Sequence, residues 1–178
     1  MIQPKLKLVH PNAKNTGAYV DMSVRPASDQ DTGALMVSFS PQKTVGSFGN
    51  GQRVMPTFDH EKKIVVKLNI FEVSLMVSVF DGFSESIDNG HGLFHRSAKG
   101  STVVGLSHRV EPTSGYWFTV DRKPNDGDEQ KIGIFLSSNE GRTLSIILKQ
   151  AMVYMGFGIP ERVMPMTENR ENTEKKIV

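Results

Sequence analysis

The chain has 178 residues, 21 Lys and Arg against 19 Asp and Glu, and no cysteine. This length favours one domain, and the composition argues against bulk disorder. The lack of cysteine excludes disulfides, zinc-thiolate and iron–sulfur sites and cysteine nucleophiles. No apolar run approaches the roughly 20 residues that span a bilayer. The opening Met1-Ile2-Gln3-Pro4-Lys5 has neither a signal-peptide nor a transit-peptide character, so a cytoplasmic protein is expected. The net charge is only +2, but residues 1–67 hold nine Lys and Arg against five Asp and Glu.

In chain order, Lys5–Val9, Ala18–Arg25 and Leu35–Phe39 read as short strands with partial alternation and β-branched residues. Pro11-Asn12, Asn15-Thr16-Gly17 and the stretch from Pro26 to Gly33 supply turns. Ser40–Arg53 is Gly-rich and reads as a long flexible loop. Lys63–Asn69 is a fourth strand. Ile70–Phe80 fits two periods. Phe71, Leu75 and Val79 suit a helix, whereas Val73, Leu75, Val77 and Val79 suit a strand. Asn69 followed by Glu72 resembles a capping box. The expectation is a short helix or helical turn running into a strand that ends at Asp81-Gly82.

Gly92–Arg96, Ser101–Val110, Tyr116–Asp121 and Lys131–Leu136 continue the strand pattern. Glu111 to Gly115 suits a hairpin connection. The last third changes period. Ser137-Ser138-Asn139-Glu140 signals a helix start, and Leu144, Ile147, Leu148, Ala151, Met152 and Met155 form one apolar stripe. Gly156, Gly158 and Pro160 stop it. Beyond Pro160 the chain is polar, and residues 161–178 are expected to be a flexible tail. No internal repeat is obvious. Strands followed by a terminal helix make an α+β domain over residues 1–160.

No catalytic constellation emerges. His91 and His95 have an i, i+4 spacing, but glycines surround the first and no Glu follows it as a zincin motif needs, so no metal is expected. Gly46-Ser47-Phe48-Gly49-Asn50-Gly51 lacks the Lys-Ser/Thr pair of a phosphate loop. Gly-x-Ser-x-Gly is absent, and the carboxylates sit in polar segments. The expectation is a protein that is not an enzyme, has no cofactor and takes no small-molecule substrate or membrane as partner.

Basic and aromatic residues do interleave along the strands. Phe58 leads to Lys62, Lys63 and Lys67. Phe94 leads to Arg96 and Lys99. Tyr116 and Trp117 lead to Arg122 and Lys123. Aromatic faces stack on unpaired bases while Lys and Arg neutralise phosphates, and alternation on a strand brings such residues to one face. At least one ring of Tyr116-Trp117-Phe118 must face the core.

The ordered segments from Lys63 onward resemble the Whirly family and the related single-stranded-DNA-binding transcriptional coactivators. Lys67-Leu68-Asn69-Ile70-Phe71-Glu72-Val73 and Phe94-His95 with Lys99-Gly100-Ser101 carry the likeness. So do Val110-Glu111-Pro112 with Gly115-Tyr116-Trp117-Phe118, and Ile134-Phe135-Leu136-Ser137 with the closing helix. The likeness spans roughly residues 33–158. It implies two antiparallel four-stranded sheets packed at an angle, helices at their edges, and a homotetramer centred on helices. Leu148, Met152 and Met155 are then candidates for contacts between protomers. It also implies binding of single-stranded DNA, or RNA, with little sequence preference, in replication, recombination, repair or transcription. On this reading Lys62, Lys63, Lys67, Arg96, Lys99, Arg122 and Lys123 meet phosphates, and Phe58, Phe94, Tyr116 and Trp117 stack on bases. The rival readings are a five-stranded OB-fold binder, an oligomeric scaffold without nucleic-acid affinity, and an enzyme with a dispersed active site.

Overall fold

The structure, a computed structural model, describes residues 5–28, 30–49 and 51–158. The expected tail over 161–178 lies outside the described residues. Strands β1 (Leu6–His10), β2 (Ala18–Arg25) and β3 (Ala34–Thr44) form an antiparallel meander. Alternation sets the faces. Ala18, Val20 and Met22 of β2 are buried, as are Leu35, Val37 and Phe39 of β3, while the intervening Tyr19 and Asp21 face out.

The expected loop over Ser40–Arg53 needs correction. Strand β3 runs on through Pro41 to Thr44, followed by a hairpin of β4 (Ser47–Gly49) and β5 (Gln52–Val54). The two-residue β6 (Thr57–Phe58) then pairs with the end of β3. Buried Gln42 explains the extension. Its Oε1 accepts from the Asn12 and Gly17 N–H groups, and its Nε2 donates to the Asn12 and Thr44 carbonyls. A buried amide with its donors and acceptors occupied fixes the local backbone more strongly than glycines nearby loosen it. Strand β7 (Ile64–Leu68) returns along β3, with Ile64, Val66 and Leu68 inward and Lys67 exposed.

Helix α1 (Ile70–Phe80) follows at once. Asn69 Oδ1 accepts from the Phe71 and Glu72 N–H groups, and Glu72 accepts from the Asn69 N–H. The capping box is therefore as read, but the strand expected after it is not formed. All 11 residues are helical, and Val73, Met76, Val77, Val79 and Phe80 are buried. The apolar alternation that suggested a strand combines the buried face with Leu75, which is apolar but 45% exposed on the opposite side.

A 3₁₀ turn at Ile87–Gly90 precedes a second meander of β8 (Leu93–Ser97), β9 (Gly100–Arg109), β10 (Gly115–Pro124) and β11 (Gln130–Ser137). Helix α2 (Ser138–Phe157) then begins at a capping box of Ser137 and Glu140 and ends at Gly158. Each half of the chain is thus a four-strand meander followed directly by a capped helix. The β4–β6 excursion is an addition to the first half. What recurs is alternation and capping rather than residue identity, so the repeat is invisible in the sequence.

The two sheets pack inner face to inner face, with Phe39 of β3 against Phe118 of β10 at 4.9 Å between ring centroids. The helices pack on each other, and Asp81 after α1 accepts from Ser145 and Lys149 of α2. Tyr116 lies beneath the first turn of α2 and donates its hydroxyl to the Phe80 carbonyl at 3.1 Å. A Cβ on Gly141 would sit 2.1 Å from the Tyr116 ring, so glycine is what lets the helix approach. Leu144, Leu148, Ala151 and Met155 complete this layer. Each fully buried Leu or Phe contributes about 1.5–3 kcal/mol.

Candidate nucleic-acid interface

Strand β7 pairs only with β3, and β8 pairs only with β9, so each has one free edge. These two edges border a groove of about 300 Å³. Unpaired backbone groups on strand edges seek partners. Lys67, Arg96, Lys99 and Arg122 line this groove, together with His95 and Thr102, and no carboxylate does. None of the four cations forms an ion pair among the described residues. Closely spaced, unneutralised cations repel one another, and a polyanion relieves that repulsion.

The structure therefore brings four of the seven sequence-predicted cations to one place. Lys62, Lys63 and Lys123 are exposed nearby in sequence but do not line the groove. The tight β8–β9 turn is part of the geometry. Gly100 has φ +132°, and a Cβ there would lie 2.3 Å from the Lys123 carbonyl oxygen. That close approach holds the turn bearing Lys99 against β10.

The aromatic candidates separate. Tyr116 is only 8% exposed, and its hydroxyl is occupied, so its assignment to base stacking is corrected: it is a core residue. Phe118 and Val120 fix even-numbered residues of β10 inward. Trp117 accordingly faces out and is 38% exposed, and Phe94 is 63% exposed. Phe58 is half-buried on the outer face of the first sheet. There Tyr19 lies 5.8 Å from it and 5.3 Å from His60, measured between ring centroids. Tyr19 and His60 were not singled out from sequence, although the inward Ala18, Val20 and Met22 place Tyr19 outward. His95 and Thr102 were also missed as groove residues. Their signal is tertiary.

The proposed protomer contacts also need correction. Leu148 and Met155 are 1% and 3% exposed and are spent on the core, and Met152 packs against it. The apolar residues left exposed on the helices are instead Phe71 and Leu75 of α1, and Ile146, Ile147, Val153 and Phe157 of α2, Ile147 lying off the buried stripe on which the sequence placed it.

The repeat extends to electrostatics. Each capping-box glutamate meets a histidine from the first strand of the other half. His10 Nε2 lies 2.8 Å from Glu140 Oε1, and His95 Nε2 lies 3.1 Å from Glu72 Oε1. The first contact is a hydrogen bond. The second is misdirected, leaving the buried His95 Nε2 without one. Burial pushes the Glu140 carboxyl up, but hydrogen bonds from the Ser137 N–H and hydroxyl, together with His10, outweigh it and hold the group below its ordinary value. Asp81 is also held low, by hydrogen bonds from Lys149 and then Ser145. Among the described residues there is no group of three or more His, Asp or Glu arranged to hold a metal ion. No helix among them is long and apolar enough to cross a membrane.

The arrangement defines an α+β protein of two packed antiparallel meanders, each closed by a helix. No protein-family model matches the sequence, and no curated protein matches it. Solved structures do. WHY3 from Arabidopsis thaliana superposes with a TM-score of 0.61 at 16% identity, over 87% of this chain and 88% of that one. WHY1 from the same plant superposes with a TM-score of 0.59 at 21% identity, over 86% of this chain and 88% of that one. The chain has the Whirly fold.

Proposed function

We propose that this protein binds single-stranded DNA, with little sequence preference, along the groove between β7 and β8, and so protects or organises unpaired strands. The observation that carries this reading is the set of Lys67, Arg96, Lys99 and Arg122 around one groove without a carboxylate. Lys and Arg supply the salt-sensitive, sequence-independent part of affinity. Exposed Phe94, beside the groove on β8, supplies a face for an unpaired base. Resemblance to the Whirly family supports the same choice of ligand.

Assembly belongs to the same proposal. Phe71 is 80% and Phe157 90% exposed, on helices that pack together. Ile146, Val153 and Phe157 follow one another by seven and then four residues, so they share one stripe of α2. Exposed apolar residues sharing one helix stripe favour an interaction site. The proposed assembly is a homotetramer built through the helices, in place of the inward-facing Leu148 and Met155.

The test is a fluorescence titration of the intact protein with a labelled single-stranded DNA oligomer, its duplex and the matching RNA. Tight, salt-sensitive binding to the single strand and weak duplex binding are expected. A higher affinity for RNA would reassign the ligand within the same site. Absence of binding to all three at low salt would remove the proposal and favour an oligomeric scaffold.

A further inference from the structure

We propose that His95 is a fifth phosphate contact of the groove, charged only when its ring takes up a proton, so that strand binding and proton uptake are coupled. This rests on the groove reading above and adds to it a dependence on pH.

The chain places one histidine among the groove's cations. On β8, Leu93 is 6% exposed and points into the core. Alternation puts His95 on the same side of the strand, away from exposed Phe94. His95 is thus half-buried on the edge strand, in register with Thr102 of β9, and lines the groove. The other histidines among the described residues lie elsewhere. His10 is at the seam between β1 and α2, and His60 packs edge-on against Tyr19. His91 and His108 border a separate pocket beside Trp117.

Charged groups face the ring from most of the elements around it. Strand β7 contributes Lys67, β8 itself Arg96, the β8–β9 turn Lys99, and β10 Arg122. Strand β9 contributes Gly100 and Thr102, both uncharged. Behind the ring stands Glu72 of α1, whose Oε1 lies 3.1 Å from His95 Nε2. Glu72 is not free to turn away. Its Oε2 accepts from the Asn69 N–H at 2.8 Å and so closes the cap of the helix. Yet the contact with His95 is not a hydrogen bond, and the buried Nε2 has no partner. The matching pair in the other half, His10 and Glu140, is hydrogen-bonded at 2.8 Å. A protonated imidazole donates from both ring nitrogens, so one N–H can serve Glu72 and the other a phosphate.

Two opposite forces act on a positive ring at this place. Glu72 attracts it, and the four cations around the groove repel it. A phosphodiester strand in the groove offsets the repulsion and adds an attraction of its own. The bound protein therefore holds more protons than the free protein. By the reciprocity of linked binding, affinity rises as pH falls through the range in which an imidazole changes charge, from about pH 8 to about pH 5.

The experiment titrates the intact protein with a labelled thymine oligomer, whose bases do not change charge over that range. Wild-type affinity should rise about 10-fold toward the acid end. Its salt slope should steepen by about 0.7, the share of one more neutralised phosphate. His95→Gln keeps a polar side chain without the charge, and its affinity should stay level across the range. His95→Lys carries a fixed charge and should also stay level, with the salt slope that wild type reaches only in acid. His10→Gln, in the other half, should keep the wild-type rise. Salt-sensitive binding with a level wild-type profile, or a rise that survives in His95→Gln, would overturn the proposal while leaving the groove in place. No binding of wild type at any pH would overturn the groove reading and the proposal with it.

Discussion

The two halves of the chain meet at two seams, and the seams treat charge differently. At one, β7 and β8 leave free edges, and four cations line the groove without a carboxylate partner. At the other, β1 approaches the start of α2 through His10 and Glu140, and Lys5 beside β1 is held, whereas Lys7 of β1 forms no ion pair among the described residues. Lys5 pairs with Asp21 at 3.2 Å, and Lys131 pairs with Asp121 at 2.9 Å. The backbone plan is repeated, but the neutralising carboxylates are not. A repeated plan makes two pairs of strand edges, and only the first gathers four cations around one carboxylate-free groove.

That comparison requires the fold to rest on residues behind the seams rather than on those lining them. Gly141→Val is the harshest check, because its Cβ collides with the Tyr116 ring. It should cost about 3 kcal/mol in urea denaturation. A cost below about 1 kcal/mol, the lower end for overpacking, would mean that α2 is not seated on β10 as described. Leu148→Ala should cost a similar amount, about 3 kcal/mol, by opening a cavity. By contrast, Phe71→Asp with Phe157→Asp should leave the melting temperature of the protomer nearly unchanged and convert the proposed tetramer to monomers, read by light scattering. Retention of the oligomer would move the interface elsewhere.

Asn69→Ala removes the cap that joins β7 to α1 and should cost about 1 kcal/mol. The acid limb of stability is a smaller effect. Asp81 and Glu140 titrate below their ordinary values in the folded chain, so the unfolded chain takes up their protons first as pH falls. Their contribution is present above about pH 4.3 and is lost as pH drops through the lowered folded values. Asp81→Asn should flatten a thermal-melt series over that acid range, and an unchanged series would remove Asp81 from the account. Smallest of all, Asp21→Asn frees Lys5 beside β1 at the second seam. It should raise single-strand affinity about threefold at low salt. Unchanged affinity would show that free cations alone do not make a seam a binding site.

Much of the scaffold was legible because local rules agree. The bounds of β2 follow from alternation, and both helices start where Asn69 with Glu72, and Ser137 with Glu140, form capping boxes. The interior of α1 was not legible, since apolar Phe71 and Leu75 on its exposed side add strand-like periods to the helical one. Neither was the end of β3, which depends on Gln42 reaching Asn12 and Gly17 across the sheet. The site was legible as residue types and not as a place. Lys67, Arg96, Lys99 and Arg122 lie on four segments whose meeting is set by sheet packing. Which of Tyr116 and Trp117 faces out depends on the register that Phe118 and Val120 impose.

The most direct test of the groove is its salt slope. Wild type and a variant with Lys67, Arg96, Lys99 and Arg122 all changed to Ala are titrated with one single-stranded DNA oligomer over a range of salt. Every phosphate that the protein no longer neutralises lowers the slope of log K against log salt by about 0.7, so the variant should be shallower by about 3 and weaker at low salt. An unchanged slope in a folded variant would contradict the account, because the phosphates would then be meeting some other surface.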